Sequence, residues 1–192
     1  MVGEMTNLRR SDKRERLVAA ATGLLHSQGV NRTTLADIAE AADVPLGNVY
    51  YYYKTRDDLV DAVIGRWQAT LHEELARLDA RRTPKARLKG LAALWTVQAD
   101  TVAADGCPLG SLVCELNKSH DGLADNARQL LGTVVDWVEV QFRELGVRDP
   151  RGLAVHLVAG IQGAALLSSA FNDAPLLQAE VRRLERWIDE LA

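Results

Sequence analysis

Apolar residues recur along this chain at spacings of three and four, and no stretch alternates apolar with polar in the manner of a half-buried strand. The first run is Leu17, Val18, Ala21, Leu24 and Leu25. It predicts a helix that Ser11 or Asp12 caps and that Gln28-Gly29 stops. Leu35, Ile38, Ala39 and Ala42 form a shorter run, with Thr34 as N-cap and Asp37 three positions on, close to a capping box. Asp43-Val44 then turns the chain into a third helix, Pro45 to about Tyr52. Proline suits a first helical position because it has no N–H to leave unpaired. On that helix Leu46, Asn48 and Tyr51 fall towards one side, and Val49 and Tyr53 share the other.

The remaining runs are longer. Thr55 caps a fourth helix, Arg56 to about Leu78, with Leu59, Val63, Trp67, Leu71 and Leu75 as its seam and Asp57-Asp58 at the positive end of its dipole. Thr83-Pro84 opens a fifth helix, striped by Leu88, Leu91, Trp95, Gln98 and Val102, which Gly106 ends. A sixth starts at Cys107-Pro108 and carries Leu109, Leu112, Val113 and Leu116. The seventh, over 122–145, carries Leu130, Val134, Trp137, Val138 and Gln141. The eighth runs from Asp149-Pro150 to Phe171, and the last from Ala174-Pro175 to Leu191. The pattern therefore predicts an all-α chain of about nine helices.

Two short helices joined by a tight turn, the second polar and aromatic, make a helix-turn-helix. An ordinary αα-hairpin has the same geometry. All four tyrosines lie in the unbroken run Tyr50–Tyr53, followed by Lys54 and Arg56. A tyrosine ring touches a thymine methyl and its hydroxyl bonds a phosphate oxygen, although an aromatic run also serves to fill a core. Gly29, Thr33-Thr34, Ile38-Ala39, Ala42, Val44, Gly47, Tyr50 and the aromatic-then-basic end, up to Leu59, resemble the DNA-binding domain of the TetR family of transcriptional regulators. The resemblance covers roughly Lys13 to Val63. The chain departs from the family with Tyr52-Tyr53 in place of His-Phe, Arg56 in place of Lys, and Pro45 in place of a small polar residue. It implies a DNA-binding domain over 1–55 and a helical effector-binding and dimerisation domain over 56–192. The implied DNA contacts are Thr34, Leu46, Gly47, Asn48, Tyr50, Tyr51, Tyr52, Lys54 and Arg56.

The net charge of −3 over 192 residues does not itself suggest a nucleic-acid partner. Its distribution changes the picture: residues 1–56 carry +2 and residues 57–192 carry −5. The densest basic run, Arg9 to Arg16, either follows phosphates or is a solvated helix start. Two cysteines suit a reducing compartment, no apolar run is expected to reach membrane-spanning length, and no secretory leader is apparent. The expected location is cytoplasmic.

For the second part, the resemblance implies a small-molecule effector, a homodimer and operator DNA as partners, with no cofactor, no metal and no membrane. The segment Gly106–Leu112, with Glu115-Leu116, is similar to one subgroup of the family. Trp67, Trp95, Gln98, Leu112, Trp137 and Gln141 are the candidate effector contacts, since apolar walls with a few polar groups describe a ligand site as well as an ordinary core. Small residues around Gly160, Gly163 and Ala164, with Trp187 on the last helix, mark a close helix contact, either across a dimer or within one chain. Cys107, before a helix start, is a candidate redox or electrophile sensor, or a small buried hydrophobe. The scattered histidines have no metal-ligand spacing, and there is no nucleophile elbow, P-loop or dinucleotide fingerprint, so an enzyme is not expected. A DNA-organising protein without an effector is the remaining alternative.

Overall fold

The computed structural model describes the backbone of residues 2–119 and 122–191, and side chains from Asp12 onward except around residues 119–121. Among the described residues there are ten helices and no strand. They are α1 (Val2–Gln28), α2 (Leu35–Ala41), α3 (Leu46–Tyr52), α4 (Arg56–Asp79), α5 (Pro84–Val97), α6 (Ala99–Asp105), α7 (Pro108–Ser119), α8 (Gly122–Glu144), α9 (Pro150–Phe171) and α10 (Ala174–Glu190).

Three elements differ from the expectation. Helix α1 begins at Val2, ahead of Ser11 or Asp12, since no proline separates the two stretches. Pro45 is the N-cap of α3, with φ −55° and ψ 135°, and the first helical residue is Leu46. The expected fifth helix is two helices, which raises nine to ten. Gln98, at φ −107° and ψ 18°, ends α5 and begins α6. The break redirects the chain, so that α5 packs mainly on α10 and α6 mainly on α9. Tertiary packing here overrides an uninterrupted helical period.

The chain forms two compact units, residues 1–68 with 112–127, and residues 69–111 with 128–192. In the first, α2 packs on α1 and α3. Leu17 and Ala21 of α1, Ile38 of α2, Val49 of α3 and Leu59 and Val63 of α4 are buried. In the second, α10 lies against α9, α5 and α6, over a core that includes Leu88, Leu130, Phe142, Leu157, Ile161 and Ile188. Each such side chain contributes about 1.5–3 kcal/mol relative to leaving it exposed.

Helix ends are held as the sequence suggests. Thr83, Asp149 and Asp173 each accept a backbone N–H in the first turn of α5, α9 and α10. Asn172, at φ 50°, closes α9 in the left-handed region. Lys85 donates to the backbone oxygens of Asp189 and Leu191, and Lys89 pairs with Asp189 at 2.8 Å, which ties the end of α10 to α5.

Helix α9, at 22 residues, is long and apolar enough to cross a membrane by length and composition, which corrects the expectation that no run reaches that length. Of its most apolar stretch, 39% is buried inside the protein. Its outward face carries Val155, Leu166, Leu167 and Phe171, with Leu166 70% and Phe171 66% exposed.

Candidate nucleic-acid interface

The turn between α2 and α3 is built from backbone bonds. Ala42, Asp43 and Val44 donate to Ile38, Glu40 and Ala39, and Asp43 takes φ 51°. Arg16 of α1 braces this turn, donating to the Asp43 carbonyl at 3.2 Å and approaching its carboxylate at 3.5 Å. The amphipathicity of α3 then decides what faces out. Val49 and the following Tyr53 are buried, and Leu46, Tyr50 and Tyr51 stand in solvent. Gly47 is exposed, with nothing near the place a Cβ would take. Asn48 and Tyr52 are half-buried at the margin, and Tyr52 meets Tyr51 edge-on, with centroids 5.1 Å apart. The outward face of α3 is thus aromatic and uncharged.

Thr34 does what its position suggests. Its N–H and hydroxyl both donate to the Asp37 carboxylate, at 2.9 and 2.8 Å, and its oxygen accepts the Asp37 N–H. These two bonds, the backbone one first, hold the Asp37 carboxyl below its ordinary pKa. Thr55 and Asp58 form a second reciprocal box at the start of α4, with bonds of 2.9 and 3.1 Å. Sequence reasoning had Thr55 as cap and Asp58 only as a dipole charge.

The basic residues divide. Lys54 is exposed beyond α3. Arg14 donates to the Tyr53 hydroxyl at 3.3 Å, with its guanidinium 5.8 Å from that ring. Arg56 turns inward and donates to the Val30 carbonyl, so the structure gives it a protein partner where a phosphate contact was expected. Side chains before Asp12, including Arg9 and Arg10, lie outside the described residues.

The segment joining α1 to α2 is held by several hydrogen bonds. Gly29 takes φ 86°, and its carbonyl accepts the buried Thr33 hydroxyl at 2.7 Å. The Val30 N–H donates to the Glu115 carboxylate of α7 at 2.8 Å, and the Asn31 N–H reaches the same oxygen at 3.4 Å. A Cβ on Gly29 would meet that carboxylate at 2.8 Å. Glu115 entered the sequence reading only as part of a subgroup resemblance. The glycine before the helix start is the one local sign that something approaches the backbone there.

Of the candidate effector residues, Trp137 lines a described cleft. An open cleft of about 520 Å³ runs between the end of α4 and α8, lined by His72, Leu75, Ala76, Asp79, Thr133, Asp136, Trp137 and Val140. Trp137 donates its indole N–H to Asp79 at 3.0 Å. Trp67, Trp95, Gln98, Leu112 and Gln141 do not line it. Gln98 is exposed at the α5–α6 break and Leu112 is buried. Gln141 is also buried and already committed at both ends, its oxygen accepting from Arg87 at 3.1 Å and its amide nitrogen donating to the Trp137 carbonyl. Cys107 is buried.

The small residues of α9 face both ways. Gly160 packs inward, where a Cβ would meet Leu184 of α10 at 3.1 Å, and Ala164 is buried in its own chain. This corrects their place on an outer contact surface. Gly163 has open space beside it. Trp187 stacks edge-on with His156 and Phe142, at 4.9 and 5.9 Å.

A capped helix, a four-residue turn and a second helix buried on one side and aromatic on the other define a helix-turn-helix DNA-binding protein. Residues 17–63 match the bacterial regulatory proteins, tetR family. The chain is 27% identical, over 98% of each sequence, to an uncharacterized HTH-type transcriptional regulator in the lacX 3' region of Lactococcus lactis subsp. lactis. It is 27% identical to the HTH-type transcriptional regulator LmrA of Bacillus subtilis (strain 168), over 86% of this chain and 92% of that one. Its fold is similar to that of a TetR transcriptional regulator from Chloroflexus aurantiacus J-10-FL, with a TM-score of 0.83 at 20% identity over 95% and 98% of the two chains. Residues 17–63 are thus a tetR-family helix-turn-helix domain, and the chain is similar over nearly its whole length to helix-turn-helix transcriptional regulators.

Proposed function

We propose that this regulator is a cytoplasmic, dimeric repressor that reads operator DNA with α3 and leaves it when a small hydrophobic or amphipathic compound binds its helical second part. The outward face of α3 carries the reading. Leu46, Tyr50 and Tyr51 are large and exposed although the opposite residues are fully buried, and an exposed apolar–aromatic helix face needs a partner. In the major groove such residues contact thymine methyls and base edges. Lys54 and Thr34 flank the face and reach backbone phosphates. One relative, DhaR of Mycobacterium sp. (strain GP1), is named a transcriptional repressor.

Two observations support the rest. The outward stripe of α9, from Val155 through Gly163 to Leu166 and Phe171, fits a second copy of itself in an isologous contact. The cleft at Trp137 has a volume usual for a small-molecule site, about 300–1,000 Å³. For both copies of α3 to dock together, half-site centres lie roughly 34 Å apart or at a multiple. Footprinting on the DNA that flanks the protein's own gene tests the reading. A protected pseudo-palindrome is the expected result, and absence of any sequence-selective protection would reject it.

A further inference from the structure

The backbone of Val30 is gripped on both sides. Its N–H points to the Glu115 carboxylate on α7 and its carbonyl receives the Arg56 guanidinium at the start of α4. The two side chains carry opposite charges, each matched to the polarity of the group it holds. The grip sits on the loop whose end is the Thr34 cap of α2, and α2 in turn packs on α3. Gly29 leaves the carboxylate its room, because any Cβ there would lie 2.8 Å from it. Val30 itself is buried, so its N–H would be costly to leave without a partner.

We propose that Glu115 is a positioning residue for DNA binding: through its bonds to the Val30 and Asn31 amides it sets where the helix-turn-helix stands, so that the placement of α7 is read directly at the loop before α2. The inference rests on the reading of α3 as the DNA-contacting helix. Helix α7 starts at Pro108, in the second compact unit, and reaches Glu115 within the first. It is therefore a second continuous element, besides α4, along which a change in the effector-binding part arrives at the DNA-binding part. The signal at its end is an ion-to-amide bond rather than side-chain packing.

The test uses the full-length chain and a duplex selected by the wild-type protein from a random-sequence pool. Glu115→Ala lowers affinity about tenfold. The loss is equal for the selected duplex and its single-base variants, because no base contact is touched. Glu115→Gln keeps an acceptor oxygen and restores most of the affinity. Amide hydrogen exchange at Val30 and Asn31 quickens in Glu115→Ala and not in Glu115→Gln. Gly29→Ala, which crowds the carboxylate, weakens binding in the wild-type background and costs less once Glu115 is alanine. Wild-type affinity in Glu115→Ala, or a Gln variant no better than the Ala variant, overturns the proposal. If the wild type selects no duplex, the DNA-binding reading fails on its own account. Unchanged Val30 exchange in Glu115→Ala then overturns the clasp separately.

Discussion

At the scale of single residues, the Thr34–Asp37 box is the clearest device. Asp37 is held below its ordinary pKa by donors that exist only in the folded chain. A folded-state value depressed in this way stabilises the protein above the unfolded-state pKa, and that contribution is lost as pH falls through the folded-state value. Asp37→Ala should therefore melt a few degrees below wild type at neutral pH, roughly 2–5 °C. The gap should close as pH is lowered through the carboxylate range, and calorimetry at several pH values checks it. Arg56 and Lys54 separate by salt. Lys54→Ala should flatten the dependence of operator affinity on salt by about one charge. Arg56→Ala should weaken every DNA sequence while leaving that slope alone, since its guanidinium already holds the Val30 carbonyl. A slope reduced equally by Arg56→Ala would return it to the phosphates.

At the scale of elements, α3 was legible almost residue by residue. Val49 and Tyr53, four apart, are both buried as their spacing requires, and Leu46 and Tyr51 face out. Local periodicity and a proline suffice where a helix has only two sides to choose between. The α5–α6 break was not legible, because Gln98 has no breaker chemistry and the turn exists to bring α6 onto α9. Nor was the Glu115 bond, which joins residues far apart in sequence and has no periodic signature. The effector residues fared differently again. Tryptophan is a large apolar group wherever it falls, so periodicity alone does not tell a pocket wall from a core, and Trp137 is the one of the three that lines the described cleft. For α3 the expected outcome is selective: Tyr51→Ala should cost about 1–3 kcal/mol on the preferred operator. It should cost little on variants altered at the base pair it touches. Binding titrations across single-base variants decide the matter, and a uniform loss would make Tyr51 a phosphate contact.

At the scale of the whole molecule, the outward stripe of α9 makes a plain prediction. Leu166→Glu places a charge on an exposed apolar face and should shift the protein from dimer to monomer in sedimentation, with the melting temperature little changed. An unchanged dimer would remove α9 from the contact. Coupling has its own signature. Helix α4 opens with the Thr55–Asp58 box and ends at Asp79, which accepts the Trp137 indole. A compound that packs on Trp137 moves the equilibrium only by its differential affinity for two states, and operator DNA must weaken its binding by the same factor. Trp137→Ala should blunt release by the effector and leave operator affinity within a few-fold.

The uncharged outer face of α3 also bears on how the protein finds its target. Arg14, Arg16 and Arg56 are turned to partners inside the chain, and the molecule as a whole is acidic. Tyrosines on phosphate or base edges displace few counterions, so α3 itself adds little to the grip on random sequence. We propose that such a regulator spends little time travelling along the duplex. Its search is dominated by repeated collisions from solution, and its arrival rate at an operator should hardly depend on the length of flanking DNA. Single-molecule tracking on long and short templates would show equal association rates per site, with dwell times on non-operator DNA too brief for extended travel.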